Sequence, residues 1–100
     1  MLNSIQISID KDLEDLIPGF LENRKNDIKT MQLAVEEGDF NQIRMIGHRM
    51  KGFGSGYGFD FITELGKRLE EAAKEENIQK IGIYITELIN YLEQIEITFE

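Results

Sequence analysis

His48 is the only histidine in the chain, and the residues around it set it apart from an imidazole in a core. The segment reads His48-Arg49-Met50-Lys51-Gly52-Phe53-Gly54-Ser55-Gly56-Tyr57-Gly58, one imidazole among basic residues and glycines. No Asp or Glu occurs from Phe40 to Phe59, whereas Arg44, Arg49 and Lys51 all fall there. The whole chain carries 19 acids against 11 Lys and Arg, so this basic stretch is a local feature. An unperturbed imidazole is largely neutral near pH 7 and is then a nucleophile. A positive surround draws anions to it. Phosphoryl transfer is the first chemistry that this combination suits.

Spacing sharpens the reading. On a helix, residues three, four and seven apart share a face. From His48 that face holds Arg44 one turn before, Lys51 and Gly52 one turn after, and then Ser55. The inner stripe of the same helix is set by Ile43, Gly47, Met50 and Gly54. His48 is therefore expected to flank the core and look out to solvent. A glycine inside a helix costs up to about 1 kcal/mol relative to alanine. Gly52 is read as room for something bulky to approach the imidazole. Blander readings exist for each part: a lone surface histidine, a flexible glycine loop, a solvated face for Arg44 and Lys51. The combination is what favours chemistry. A metal site is not expected, because one His and no Cys leave only carboxylates, and none is close in sequence. A Ser-His-Asp arrangement is not expected either, since Ser55 lies about two turns away and no oxyanion hole is evident.

The elements that must hold this face are helical. Asp10 can cap a short helix through Leu13, Leu16 and Ile17. Pro18, the only proline, then falls in the first turn of a second helix, where its missing N–H is harmless. That helix runs to about Glu37, with Phe20, Leu21, Ile28, Met31, Ala34 and Val35 as its stripe. Gly38 ends it and Asp39 caps the next, which runs from Phe40 to about Gly54–Gly56. Asp60 can cap the following helix, which carries Phe61, Ile62, Leu65, Leu69 and Ala73. Glu75-Glu76-Asn77 makes a turn, and Ile78, Ile81, Ile85, Leu88, Ile89, Leu92 and Ile95 mark the last helix. Short connections favour antiparallel neighbours. The expected fold is all-α: an antiparallel up-down four-helix bundle with a short N-terminal helix. Ile5, Ile7 and Ile9 alternate as in a strand, but no partner strand is evident, so residues 1–9 are read as an extended arm.

Composition bounds the rest. One hundred residues suffice for a single domain with one core, here 1–100. The absence of cysteine excludes disulfides and thiol catalysis and agrees with a reducing compartment. No apolar run approaches membrane-spanning length. The start, Met1-Leu2-Asn3-Ser4-Ile5, lacks the basic end and long apolar centre of a signal peptide. A cytoplasmic, monomeric protein without membrane contact is expected. A net charge of -8 argues against nucleic acid. No cofactor is expected.

The constellation resembles a known family. His48-Arg49-Met50-Lys51-Gly52, then Gly58, then Leu65, Leu69-Glu70 and Ala72-Ala73, is similar to the histidine-containing phosphotransfer (HPt) domains of multistep phosphorelays. Their pattern is His-x-x-Lys-Gly, a later glycine, and a Leu-Glu helix. The likeness is detailed from Phe40 to Lys74, and the helical layout extends it over nearly all the rest. It implies a four-helix bundle with an exposed histidine that takes a phosphoryl group from an aspartyl phosphate on a receiver domain and passes it to another. It implies no intrinsic kinase activity and no bound nucleotide. The partners would be receiver domains of response regulators, including those of hybrid sensor kinases. By the resemblance, His48 is the phospho-acceptor through Nε2, Lys51 offsets charge on the phosphoryl oxygens, and Gly52 leaves room for the receiver. Glu70 falls where relatives often carry a polar residue, frequently Gln, that contacts the imidazole. It is either that contact or a solvent-facing helix glutamate. Arg44 and Arg49 are read as meeting the partner's acidic face. Phe53 stands where relatives often have a small or hydroxyl residue. The other reading of the same residues is a bundle that binds receiver or kinase domains without being phosphorylated. Intact His48, Lys51 and Gly52 favour phosphotransfer. The starting Met1 and full helix set suggest a free-standing protein.

Overall fold

The computed structural model describes residues 4–100. It holds a strand β1 (Ile5–Ile9), a 3-10 segment (Lys11–Leu16) and the helices α1 (Ile17–Glu37) and α2 (Phe40–Phe53). A short 3-10 turn (Ser55–Tyr57) leads to α3 (Asp60–Lys74), α4 (Ile78–Gln94) and a second strand β2 (Ile95–Phe99). The described chain is mostly helical, with four helices packed together.

The local chemistry explains the boundaries. The Asp39 carboxylate accepts from the Gln42 N–H, and the Asn77 side chain accepts from the Lys80 N–H, so α2 and α4 begin on side-chain caps. Gly38 takes φ 69°, a left-handed turn that ends α1 and that glycine adopts without strain. Pro18 lies in the first turn of α1. The cap expected at the start of α3 differs: Phe59 occupies the position before the helix without a side-chain cap, and Asp60 sits in its first turn. There its negative charge still faces the positive end of the helix dipole.

Each helix contributes its stripe to one core. Met31 of α1, Ile43 and Met50 of α2, Leu65 and Leu69 of α3, and Ile81 and Leu88 of α4 are all fully buried. Burial of side chains of this size stabilises by about 1.5–3 kcal/mol each. Phe61, at the start of α3, meets Tyr91 near the end of α4, while Arg68 reaches Glu87. Phe20, early in α1, meets Phe53 at the end of α2. Tyr91 is buried, and its hydroxyl has no hydrogen-bond partner among the described residues. Burial, with a smaller push from Asp60, raises its pKa to about 12.

Two expectations at the chain ends are corrected. The segment read as an extended arm holds a strand, and the short helix expected after Asp10 is a 3-10 run, Lys11–Leu16, with Asp10 accepting from the Asp12 N–H. The extended arm has a partner. β1 pairs in parallel with β2, Ile5 opposite Ile95 through Ile9 opposite Phe99. Residues 1–3 of that expected arm lie outside the described residues. Ile95, expected as the last position of a helical stripe, starts β2 instead, and Ile97 and Phe99 continue the alternation. Sheet pairing satisfies backbone groups that a fraying helix end would leave to water. The clasp closes further as the Lys11 N–H donates to Glu100 and the Glu100 N–H donates to Ile9.

Candidate functional site

The site begins with two glycines. Gly47 on α2 and Gly66 on α3 are buried and face one another. A Cβ built on Gly47 would lie 2.7 Å from both the Glu70 N and the Gly66 O. One on Gly66 would lie 2.7 Å from the Gly47 O. The two backbones thus pack with no side chain between them. Gly66 and Glu70 are one turn apart on the same face. The close approach at Gly66 therefore delivers the Glu70 side chain to the flank of α2, between His48 and Lys51.

There the geometry is specific. His48 Nδ1 lies 3.0 Å from Glu70 Oε2. Lys51 Nζ lies 2.8 Å from Glu70 Oε1. Lys74, one turn along α3, sits 4.0 Å from Oε2. The Glu70 side chain is only 7% exposed, whereas that of His48 is 65% exposed. A carboxylate is thus held beneath an imidazole that stands in solvent. The Lys51 ammonium holds the Glu70 carboxyl below its ordinary value of 4.5; burial opposes this, and His48 adds to the lowering. Glu70 is therefore ionised at neutral pH and can only accept hydrogen bonds. Its partner His48 Nδ1 must carry the proton, so the lone pair of the neutral ring resides on Nε2. An oriented, solvent-facing nucleophile is what this arrangement can supply.

Other residues singled out from the sequence fall in different places. Gly52 has no atom within 4 Å of a built Cβ, so the surface beside Lys51 is open there. Arg44 is half-buried and donates to the Asn41 side chain over 2.8 Å, apart from the His48–Glu70–Lys51 set. Ser55 is not brought to the imidazole. Its hydroxyl lies 3.1 Å from the Thr63 hydroxyl, and its N–H donates to the same oxygen, which ties the α2–α3 turn together. Arg49 is exposed. Phe53 is half-buried, edge-on to Phe20 and under the Arg24 guanidinium.

Spacing along the helix found no carboxylate near His48, because Glu70 lies on another helix and 22 residues away; only the family resemblance offered that contact, as one of two readings for Glu70. Three further residues escaped sequence reasoning. Gly66 falls on the stripe of Ile62, Leu69 and Ala73 by helical spacing, but nothing in that spacing says which helix it meets. Lys74 reads as a helix-end charge. Arg24 lies in a polar run, yet is buried between the rings of Phe20 and Phe53 and paired with Asp27 at 2.9 Å. The aromatic residues Phe20, Phe53 and Tyr57 were the available signal for such a cation site.

Comparison with known proteins gives one positive finding. The family model of the Hpt domain matches residues 15–97. No curated protein and no solved structure matches the chain. Among the described residues, no helix is long and apolar enough to cross a membrane.

Proposed function

The chain belongs to the Hpt domain family, whose members carry histidine phosphotransfer in two-component signalling, and from that premise we propose that it is a phosphorelay intermediate acting through His48. The observation that carries this reading is the pairing of an exposed imidazole with a buried carboxylate on its Nδ1 side. In the forward step, the His48 Nε2 lone pair attacks the phosphorus of an aspartyl phosphate on a receiver domain. The Nε2–P bond forms as the P–O bond to the aspartate breaks, and the electron pair leaves with that carboxylate. The Nδ1 proton stays where it is. The ring becomes a phosphoimidazolium whose positive charge faces Glu70. Passage to a second receiver reverses each bond change, and the neutral ring departs.

Lys51 has two oxygens to choose between in this scheme. At rest it holds Glu70; with a phosphoryl group on Nε2, its flexible stem lets it turn as a point charge toward the new anion. Lys74 then remains beside Glu70. Gly52 gives the receiver's loops their approach. Arg44 and Arg49 meet the partner's acidic surface, and Ser55 serves the α2–α3 turn.

The up-down run of the four helices belongs to the same reading. It is supported by the pairing of early α3 with late α4 and of early α1 with late α2. So do a cytoplasmic site of action, receiver partners that include hybrid kinases, and the lack of any kinase activity of its own.

The test is transfer from a receiver domain carrying labelled aspartyl phosphate. Wild type takes up acid-labile label, His48→Gln folds and takes up none, and neither is labelled by ATP and Mg²⁺ alone. Equal labelling of the two proteins by the receiver sinks the assignment to His48. A wild type that binds the receiver but never takes label leaves the non-phosphorylated binding module in its place.

A further inference from the structure

The phosphotransfer site does not use the Ile5–Ile9 alternation. β1 and β2 form a sheet of only two strands, so β1 has a second edge with no strand on it among the described residues. Among the described residues, and apart from the contacts with β2, the only backbone hydrogen bond made by β1 is the one that Ile9 accepts from Glu100, at the closed end of the clasp. An isolated pair of strands is marginal by itself, and an edge with free N–H and C=O groups is a template for another strand. Natural edges are commonly blunted by Lys, by Pro or by a bulge. β1 has none of these. From Ser4 to Ile9 it carries no charge, in a chain where charged residues make up 30%.

The stretch Ser4–Ser8, which overlaps β1 up to but not including Ile9, is also symmetrical. Ser4-Ile5-Gln6-Ile7-Ser8 reads the same in both directions about Gln6. Its exposure follows the same symmetry: Ser4, Gln6 and Ser8 are exposed, and Ile5 and Ile7 are half-buried. Two such strands laid antiparallel about Gln6 place Ser4 opposite the partner's Ser8, Ile5 opposite the partner's Ile7, and Gln6 opposite the partner's Gln6. Every pair then matches in polarity and in the face it occupies, and no like charges meet across the pair. A self-complementary patch on a two-fold axis is what a closed homodimer requires.

We propose that the free edge of β1 pairs antiparallel with β1 of a second copy of this chain, giving a four-stranded sheet in the order β2-β1-β1-β2 across a two-fold axis. This replaces the expectation of a monomer. The inference does not rest on the phosphotransfer reading, since none of the residues used belongs to the His48 site.

The test is sedimentation of the full chain over a range of concentrations, comparing wild type with Gln6→Lys. Gln6 is exposed and donates to the Glu96 carboxylate over 3.0 Å, so a lysine there keeps a partner within its own chain. Across the two-fold axis, the same lysine faces its own copy. Wild type is expected to show a reversible monomer–dimer equilibrium, and Gln6→Lys to lose the dimer while keeping the wild-type helical circular dichroism. Amide exchange on wild type supplies a readout free of any variant: β1 amides gain protection as concentration rises. A wild type that stays monomeric to its solubility limit overturns the proposal. So does a Gln6→Lys dimer as strong as wild type, or β1 exchange that is indifferent to concentration.

Discussion

The two faces of α2 use glycine in opposite ways. On the inner face, Gly47 meets Gly66, and a Cβ on Gly47 would stand 2.7 Å from backbone atoms of α3. On the outer face, a Cβ on Gly52 would meet nothing within 4 Å among the described residues. The inner pair sets how close two helices come, and so whether the buried carboxylate of Glu70 reaches His48. The outer glycine contributes nothing to packing within the chain and costs helix propensity. Absence of a side chain is structural on one face and, in the proposed relay, serves a partner on the other. The site joins the two faces: its orienting group is buried, and its reacting group is in water.

The sharpest way to break this contrast is to fill the inner face. Gly66→Ala forces a methyl against backbone atoms that cannot swing aside, the costly kind of overpacking. A loss of about 2–3 kcal/mol is expected, read as a melting temperature lower by roughly 10 °C or more for a domain of this size. Gly47→Ala should behave alike. Either variant melting like wild type would show that α2 and α3 are not in backbone contact.

The next effect belongs to Lys51. Read from the sequence and the family resemblance, Lys51 acts on phosphoryl transfer, and its removal leaves stability nearly unchanged. Its 2.8 Å contact with a buried carboxylate changes that expectation. Lys51→Ala should cost about 1 kcal/mol, discounted because the ammonium is partly exposed and Lys74 remains nearby. The sign with pH follows from linkage. Glu70 has its folded value depressed below 4.5, so its contribution is present above that pH and is lost as pH falls through the folded value. Lys51 is the largest cause of the depression, so Lys51→Ala should move this acid-side loss to higher pH. Acid unfolding curves of the two proteins check this. Superimposable curves would reduce the Lys51–Glu70 bond to a surface pair of no consequence.

The smallest effect on stability is expected at Gly52. Gly52→Ala should be neutral or stabilising by up to about 1 kcal/mol. Gly52→Gln should fold as well as wild type yet lose much of its transfer from a phospho-receiver. Stability and activity then move apart, which inner-face substitutions cannot imitate. If Gly52→Gln unfolds instead, the outer face is not open.

Much of this was legible in the sequence, for identifiable reasons. Asp39, Gly38 and Pro18 announce helix ends because each acts on its own few residues. The inner stripe of α2 and the face of His48, Lys51 and Gly52 follow from helical periodicity alone. What stayed hidden depends on contacts between distant residues. β1 seemed unpartnered because its mate lies at the other end of the chain, as with Gln6 and Glu96, 90 residues apart. β2 was concealed because Ile95 satisfies both a helical stripe continuing from Leu92 and an alternation continuing to Ile97. Periodicity along one helix does not show which helix Gly66 packs against, so only the family resemblance offered Glu70 as a contact of His48.

The central claim is that Glu70 keeps the proton on Nδ1 and leaves Nε2 to react. It is tested most directly by ¹⁵N and ³¹P magnetic resonance on protein labelled at histidine and phosphorylated from a receiver. One histidine makes the assignment unambiguous. The account predicts, before phosphorylation, a ring protonated at Nδ1, and afterwards phosphorus coupled to Nε2 with Nδ1 still protonated. Phosphorus coupled to Nδ1, or a resting ring protonated at Nε2, would contradict it.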